Sequence, residues 1–270
     1  MIRFEQVSKT YPGGFEALKN VSFQIKKGEM IFIAGHSGSG KSTILKLISG
    51  ITKPSKGKVW FNNQDLGELS DNQIGFMRQH IGIVFQDHKI LYDRNVLQNV
   101  ILPLRIIGYQ PRKAEERARI AIEKVGLKGR ELDDPVTLSG GEQQRLCIAR
   151  AVVHQPSLLI ADEPTTALDV AVQAQILDLL ARLQQAHNMT MLYITHDLNL
   201  VRRFADDVAV MRGGRIVETG AAAEVFARPQ HEYTKMLLNA GAARKVVPLA
   251  DNPATVLQAG PLFAGRQRNG

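Results

Sequence analysis

Five apolar residues, Met30-Ile31-Phe32-Ile33-Ala34, run straight into Gly35-His36-Ser37-Gly38-Ser39-Gly40-Lys41-Ser42-Thr43. No other junction constrains the fold as tightly. A continuous apolar run of this length reads as a strand buried on both faces, which belongs in the parallel sheet of an α/β protein. The glycine-rich segment after it matches G-x-x-x-x-G-K-[ST], and Ser42 to Ser49 continues with a helical pattern. Glycines let backbone N–H groups converge on an anion without side-chain clash, and the helix beyond adds the positive end of its dipole. The segment is therefore expected to wrap the phosphates of a nucleotide. Lys41 would reach the β- and γ-phosphates, and Ser42 would hold Mg²⁺.

The rest of the chain supplies matching parts. Ile2 to Val7, Val21 to Ile25, Lys58 to Phe61 and Ile81 to Phe85 read as strands. Ser157 to Ala161 and Met189 to Ile194 are two more buried strands, with an amphipathic helix over Val170 to Gln185 between them. Val208 to Met211 and Arg215 to Val217 flank Gly213-Gly214 as a hairpin. Residues 96–154 look mostly helical, with breaks expected at Pro103, Gly108, Gly126 and Pro135. The pattern predicts an α/β core with a helical insertion between two core strands. The last thirty residues contain Pro248, Pro253 and Pro261, show little periodicity and read as a linker or loose tail.

In open α/β sheets ligands sit at the carboxyl ends of the strands, so residues that end strands are the candidates for chemistry. Leu158-Leu159-Ile160-Ala161 ends in Asp162-Glu163. Asp162 is placed to help bind Mg²⁺, and Glu163 is the candidate base that polarises the attacking water. Gln86 follows the strand ending at Phe85 and could reach Mg²⁺ or that water. His196 follows another strand and is expected to contact the γ-phosphate. Tyr11, before Pro12-Gly13-Gly14, could stack on adenine. About a hundred residues beyond the first glycine loop, Leu138-Ser139-Gly140-Gly141-Glu142-Gln143-Gln144-Arg145 opens a second helix and is a second anion site at a helix N-terminus. Ser139, Gly140 and Gly141 lie at the far end of the helical insertion from Lys41. One ATP is not expected to touch both sites within one chain. Two chains packed head to tail would place each such helix end on the other's ATP.

Composition bounds the partners. Of 270 residues, 34 are Lys or Arg and 26 Asp or Glu, a formal net charge of +8. The basic residues are scattered rather than interleaved with aromatics, so a solvated surface or an anionic membrane face is expected rather than direct nucleic-acid binding. No run of 18 apolar residues occurs, so no membrane span is expected. The chain opens on a strand pattern without a signal peptide, and its one cysteine, Cys147, can form no internal disulfide. Both point to the cytosol. Residues 1–160 hold 13 Lys and 7 Ala, whereas residues 161–270 hold 2 Lys and 19 Ala. An Ala-rich helical end or a join between two parental sequences would each produce that shift.

These motifs, in this order over residues 1 to about 240, resemble the ATP-binding cassette (ABC) ATPases. The resemblance implies a P-loop α/β fold with a mixed sheet core, an N-terminal antiparallel β portion and a helical subdomain at about 87–155, followed by a tail at 241–270. It makes Tyr11 the adenine-stacking aromatic, residues 35–43 the Walker A loop and Gln86 the Q-loop. Residues 138–142 become the signature, with Glu142 where many members have Gln. Residues 158–163 become Walker B, Ala167-Leu168-Asp169 the D-loop and His196 the switch histidine. It further implies Mg²⁺-dependent ATP hydrolysis, a homodimer closed over ATP, and attachment to an integral membrane partner at the inner face of the cell membrane. Residues 1–160 look closely like cell-division ATPases of the FtsE type, through Ala34 to Gly38, Phe85-Gln86-Asp87-His88 and Asp93-Arg94-Asn95-Val96. FtsE-type proteins bind the membrane protein FtsX. Residues 161–240 look instead like ATPases of dipeptide and oligopeptide importers, through Asp162 to Val170 and Phe226 to Leu238. A hybrid chain would account for both likenesses.

Overall fold

The computed structural model describes residues 1–242, apart from residues 167, 198–201 and 203. The expected tail beyond residue 242 and Ala167 of the expected D-loop lie outside the described residues. Two sheets organise the chain. Strands β1 (Ile2–Thr10), β2 (Glu16–Ile25), β4 (Lys56–Phe61) and β5 (Gln64–Asp65) form an antiparallel sheet in the order β2-β1-β4-β5. The second sheet holds β3 (Met30–Ala34), β6 (Ile81–Val84), β7 (Leu158–Asp162), β8 (Thr190–Thr195), β9 (Asp207–Arg212) and β10 (Arg215–Ala221). Its order is β10-β9-β3-β8-β7-β6, parallel except for the β9–β10 hairpin.

The period of two along the buried strands divides the molecule into layers. Met30, Phe32 and Ala34 of β3, Leu159 and Ala161 of β7, and Met191 and Tyr193 of β8 face one core. Helices α3 (Val96–Ile106), α4 (Pro111–Lys124), α5 (Gly140–Val152) and α6 (Val170–His187) complete that core. The alternate residues Ile31, Ile33, Leu158, Ile160, Leu192 and Ile194 face a second core with α1 (Lys41–Ile48), α2 (Asp71–Arg78) and the antiparallel sheet. This two-sided burial is why these strands lack polar alternation. Among the described residues no helix is long and apolar enough to cross a membrane.

Two departures from the expected elements have physical causes. The break expected at Pro103 does not occur, because α3 runs through it to Ile106. Pro103 falls in the last turn, and Val96, Leu97, Val100, Ile101 and Leu104 are buried against α4 and α5. That packing outweighs the roughly 3 kcal/mol cost of an interior proline. Helix α2 is absent from the expected elements, although Ser70 and Gln73 form a capping box at its start. Residue 160, where the composition shifts, lies in the middle of β7, paired to β6 on one side and β8 on the other. Helices α7 (Ala222–Ala227) and α8 (Glu232–Ala242) close the described chain.

Candidate active site

Because β3, β6, β7 and β8 are parallel and nearly in register, their carboxyl ends form one edge. Ala34 pairs with Thr195, Asp162 with Ile194, and Val84 with Ala161. Gly35, His196, Glu163 and Gln86 therefore leave the sheet together. Gly35 must be glycine, since a Cβ there would meet the Met211 carbonyl oxygen at 2.3 Å. Gly40, the N-cap of α1, has φ 110°, a left-handed conformation that side chains resist. The N–H groups of Gly38, Gly40, Lys41 and Ser42 make no hydrogen bond within the described residues, as befits the open end of a helix. Ser39 Oγ is buried without a partner.

Lys41 is only 6% exposed, and its Nζ donates to the carbonyls of Gly35 (2.7 Å) and His36 (3.0 Å). Burial pulls its pKa down, opposed by the carboxylates of Glu163 and Asp162. Glu163 Oε1 lies 3.8 Å from Lys41 Nζ, while Oε2 lies 3.0 Å from His196 Nδ1 and accepts from Thr166 Oγ1 at 3.1 Å. Glu163 has φ 45°, a backbone conformation that costs about 1–3 kcal/mol and collects at functional sites. Burial pushes the Asp162 carboxyl up, helped by Glu163 and Asp87 and opposed by Lys41. Four groups expected to carry chemistry thus meet at one sheet edge: Lys41, Asp162, Glu163 and His196.

The remaining residues sit around them. Ser42 is exposed and Thr43 buried in the first turn of α1, and Gln86 is exposed just past β6. Ser42, Asp162 and Gln86 are a hydroxyl, a carboxylate and an amide. That all-oxygen set suits Mg²⁺, which takes one or two carboxylates and completes its shell with water and phosphate. Tyr11 follows β1, with Lys9 Nζ 5.3 Å and Lys46 Nζ 5.9 Å from its ring centre and its hydroxyl buried without a partner. Asp169 caps α6 by accepting from the Val172 N–H at 2.9 Å.

Ser139 caps α5, and Ser139, Gly140 and Gly141 stand apart. No hydrogen bond or ion pair among the described residues joins this helix end to residues 35–43. Glu142 Oε2 accepts from both the N–H and Oγ of Ser139 at 2.8 Å, while Oε1 pairs with Arg130 Nη1 at 2.8 Å. These bonds to Ser139 hold the Glu142 carboxyl below the usual carboxylate range. Arg150 escapes a reading of the sequence. Its guanidinium donates to the carbonyls of His88 (2.7 Å) and Lys89 (2.6 Å), tying the segment after Gln86 to α5. Positive φ at His88 and Lys89 turns those carbonyls toward it, a feature with no local sequence signal.

Residues 18–166 match the model of the ABC transporter family. Cell division ATP-binding protein FtsE of Escherichia coli K12 is 47% identical over 216 residues, covering 80% of this chain and 97% of that protein. A match of that length cannot be contained in residues 1–160, so the FtsE likeness crosses the compositional shift. Methionine import ATP-binding protein MetN 1 of Bacillus cereus is 41% identical over 249 residues, covering 91% of this chain and 72% of that protein. Among solved structures, the dimeric post-hydrolysis cassette MJ0796 with ADP and Pi superposes with a TM-score of 0.75 at 36% identity, covering 82% of this chain and 99% of that one. The chain belongs to the ABC transporter family and is an ATP-binding, ATP-hydrolysing subunit of it.

Proposed function

We propose that two copies of this chain bind two Mg²⁺–ATP between them and hydrolyse the β–γ bond while driving an FtsX-like membrane partner in cell division. The observation that carries the catalytic part is the convergence of Lys41, Glu163 and His196 within hydrogen-bond or ion-pair distance at the end of the parallel sheet. In this reading the free N–H groups of Gly38, Gly40, Lys41 and Ser42 cradle the phosphates, with Gly35, His36, Ser37, Ser39 and Thr43 shaping the loop. Lys41 neutralises charge on the β- and γ-phosphates. Glu163 orients and deprotonates the attacking water in line with the leaving oxygen, and His196 keeps the Glu163 carboxylate aimed. Ser42, Asp162 and Gln86 hold Mg²⁺, which when bound offsets charge on the phosphate oxygens. Tyr11 stacks on adenine, and Asp169 borders the dimer seam.

Ser139, Gly140 and Gly141 complete the site from the second copy, since no hydrogen bond or ion pair among the described residues joins the start of α5 to residues 35–43 of its own chain. The dimeric state of MJ0796 supports this pairing. Residues 1–240 act as the nucleotide-binding domain, 87–155 as its helical portion and 241–270 as an appended segment. A groove of about 570 Å³ beside β6, lined by Phe85, Leu102, Ile106 and Arg150 among others, receives a helix of the membrane partner. The chain thereby sits at the cytoplasmic face of the inner membrane without crossing it. The FtsE reading is preferred because its match spans 97% of the FtsE chain. Solute import is the second reading, favoured by the longer stretch of this chain that MetN 1 matches.

Tagged chain, solubilised from membranes in mild detergent with ATP, tests the biological role. Co-purification of an FtsX-like protein supports the division reading. Recovery of an importer permease replaces it.

A further inference from the structure

Helix α8 is anchored at its start. Glu218 of β10 accepts from the N–H groups of Gln230 (2.8 Å) and His231 (3.0 Å), and His231 Nδ1 accepts from the Tyr233 N–H at 3.1 Å. Tyr233 is 5% exposed. Its ring lies under the Arg212 guanidinium at 5.0 Å and meets the His36 ring edge-on at 5.7 Å. Its hydroxyl oxygen accepts the backbone N–H of His36 at 3.0 Å. That N–H belongs to the same peptide group as the Gly35 carbonyl, which accepts from Lys41 Nζ at 2.7 Å. A peptide group is a rigid plane, so Tyr233 grips one edge of it and Lys41 the other.

We infer that Tyr233, from the last described helix, is a positioning residue for the phosphate loop: it fixes the Gly35–His36 peptide plane and through it the placement of the Lys41 ammonium. This rests on the reading of residues 35–43 as the phosphate loop. Glu218 holds the start of α8 and Arg212 covers the tyrosine ring, so the β9–β10 hairpin and α8 form a back support for nucleotide binding. Removal of the hydroxyl frees the plane to rotate and spreads Lys41 over positions that do not meet phosphate. Binding weakens, and turnover of the bound nucleotide falls with it, because Lys41 also offsets charge on the γ-phosphate.

Tyr233→Phe keeps the ring and removes only the acceptor. Isothermal titration with ADP and steady-state hydrolysis of ATP are expected to show Kd and KM raised about three- to ten-fold, the range of one net hydrogen bond. The kcat at saturating ATP is expected to fall as well, by about two- to ten-fold, because a displaced Lys41 offsets less of the charge on the γ-phosphate in the transition state. Unchanged Kd and KM, or a lowered melting temperature with unchanged Kd, would overturn the inference. Lys41→Ala is titrated in parallel. If it abolishes ADP binding while Tyr233→Phe is silent, only the tyrosine's role fails; if it binds ADP normally, the phosphate-loop reading fails. Should Tyr233→Phe not fold, exchange of the His36 amide in the unaltered chain decides. A protected amide supports the grip, and exchange at the rate of an unbonded amide refutes it.

Discussion

Replacing Glu163 by glutamine separates binding from chemistry. Glutamine keeps the shape and can still meet His196 and Thr166, which lie 3.0 and 3.1 Å from Oε2, so folding is preserved. The charge is lost. At 3.8 Å from Lys41 Nζ, the carboxylate attracts that ammonium by about 4 kcal/mol at an effective dielectric near 20. Glu163 also helps hold the Lys41 pKa up against burial, so its removal lowers that pKa further. Two effects on binding then oppose each other. A weaker charge on Lys41 disfavours ATP, whereas loss of an anion facing the triphosphate favours it. The second dominates, because the lost carboxylate both repels phosphate and competes for the same ammonium. ATP affinity is expected to be retained or increased. Proton removal from water by a positioned base contributes about 10²–10⁴-fold, so turnover should fall at least about 100-fold, equivalent to about 2.7 kcal/mol of barrier. Phosphate release in a single turnover gives the rate and calorimetry the affinity. Turnover within threefold of the unaltered chain, or loss of ATP binding with hydrolysis intact in the bound fraction, would refute the role given to Glu163.

Other perturbations have equally definite outcomes. Asn99 is fully buried and bonds the Leu91 N–H and the carbonyls of Leu91, Arg94 and Asn95. Asn99→Leu orphans the Leu91 N–H and the Arg94 carbonyl and should cost about 1–3 kcal/mol in denaturant titrations; an unchanged midpoint would contradict the assigned bonds. Burial pushes the Cys147 thiol up to about 12, leaving about one thiolate in 10⁴ at pH 8. A thiol reagent should therefore label folded chain at pH 8 far more slowly than chain in denaturant, and equal rates would show the cysteine to be open. Gly35→Ala sets a Cβ 2.3 Å from the Met211 carbonyl oxygen, so nucleotide affinity and melting temperature should fall together; a fully active, equally stable variant would place that backbone elsewhere.

How much of this is legible in the sequence varies residue by residue. The β3 pentad and the strand before Asp162 announce themselves, because burial on both faces leaves no room for polar alternation. Their parallel order then carries Lys41, Glu163 and His196 to one edge without further information. Pro103 misleads, because the local rule for proline omits the helix–helix burial that overrides it. Helix α2 has a legible start in the capping box of Ser70 and Gln73, yet its short apolar pattern is too sparse to stand out. Tyr233 has no such signal: its partner His36 is 197 positions away, and only the folded hairpin brings the two together. Arg150 is similar, since its acceptors depend on the positive φ of His88 and Lys89.

A triphosphate shared between the glycine loop of one copy and the α5 helix end of another should hold two chains together only while it survives. Sedimentation of Glu163→Gln chain, with and without Mg²⁺–ATP, measures that directly. The mass should double on adding nucleotide and stay single when Ser139→Arg is added to the same chain. A mass that never doubles, or that doubles regardless of Ser139→Arg, would contradict the shared site.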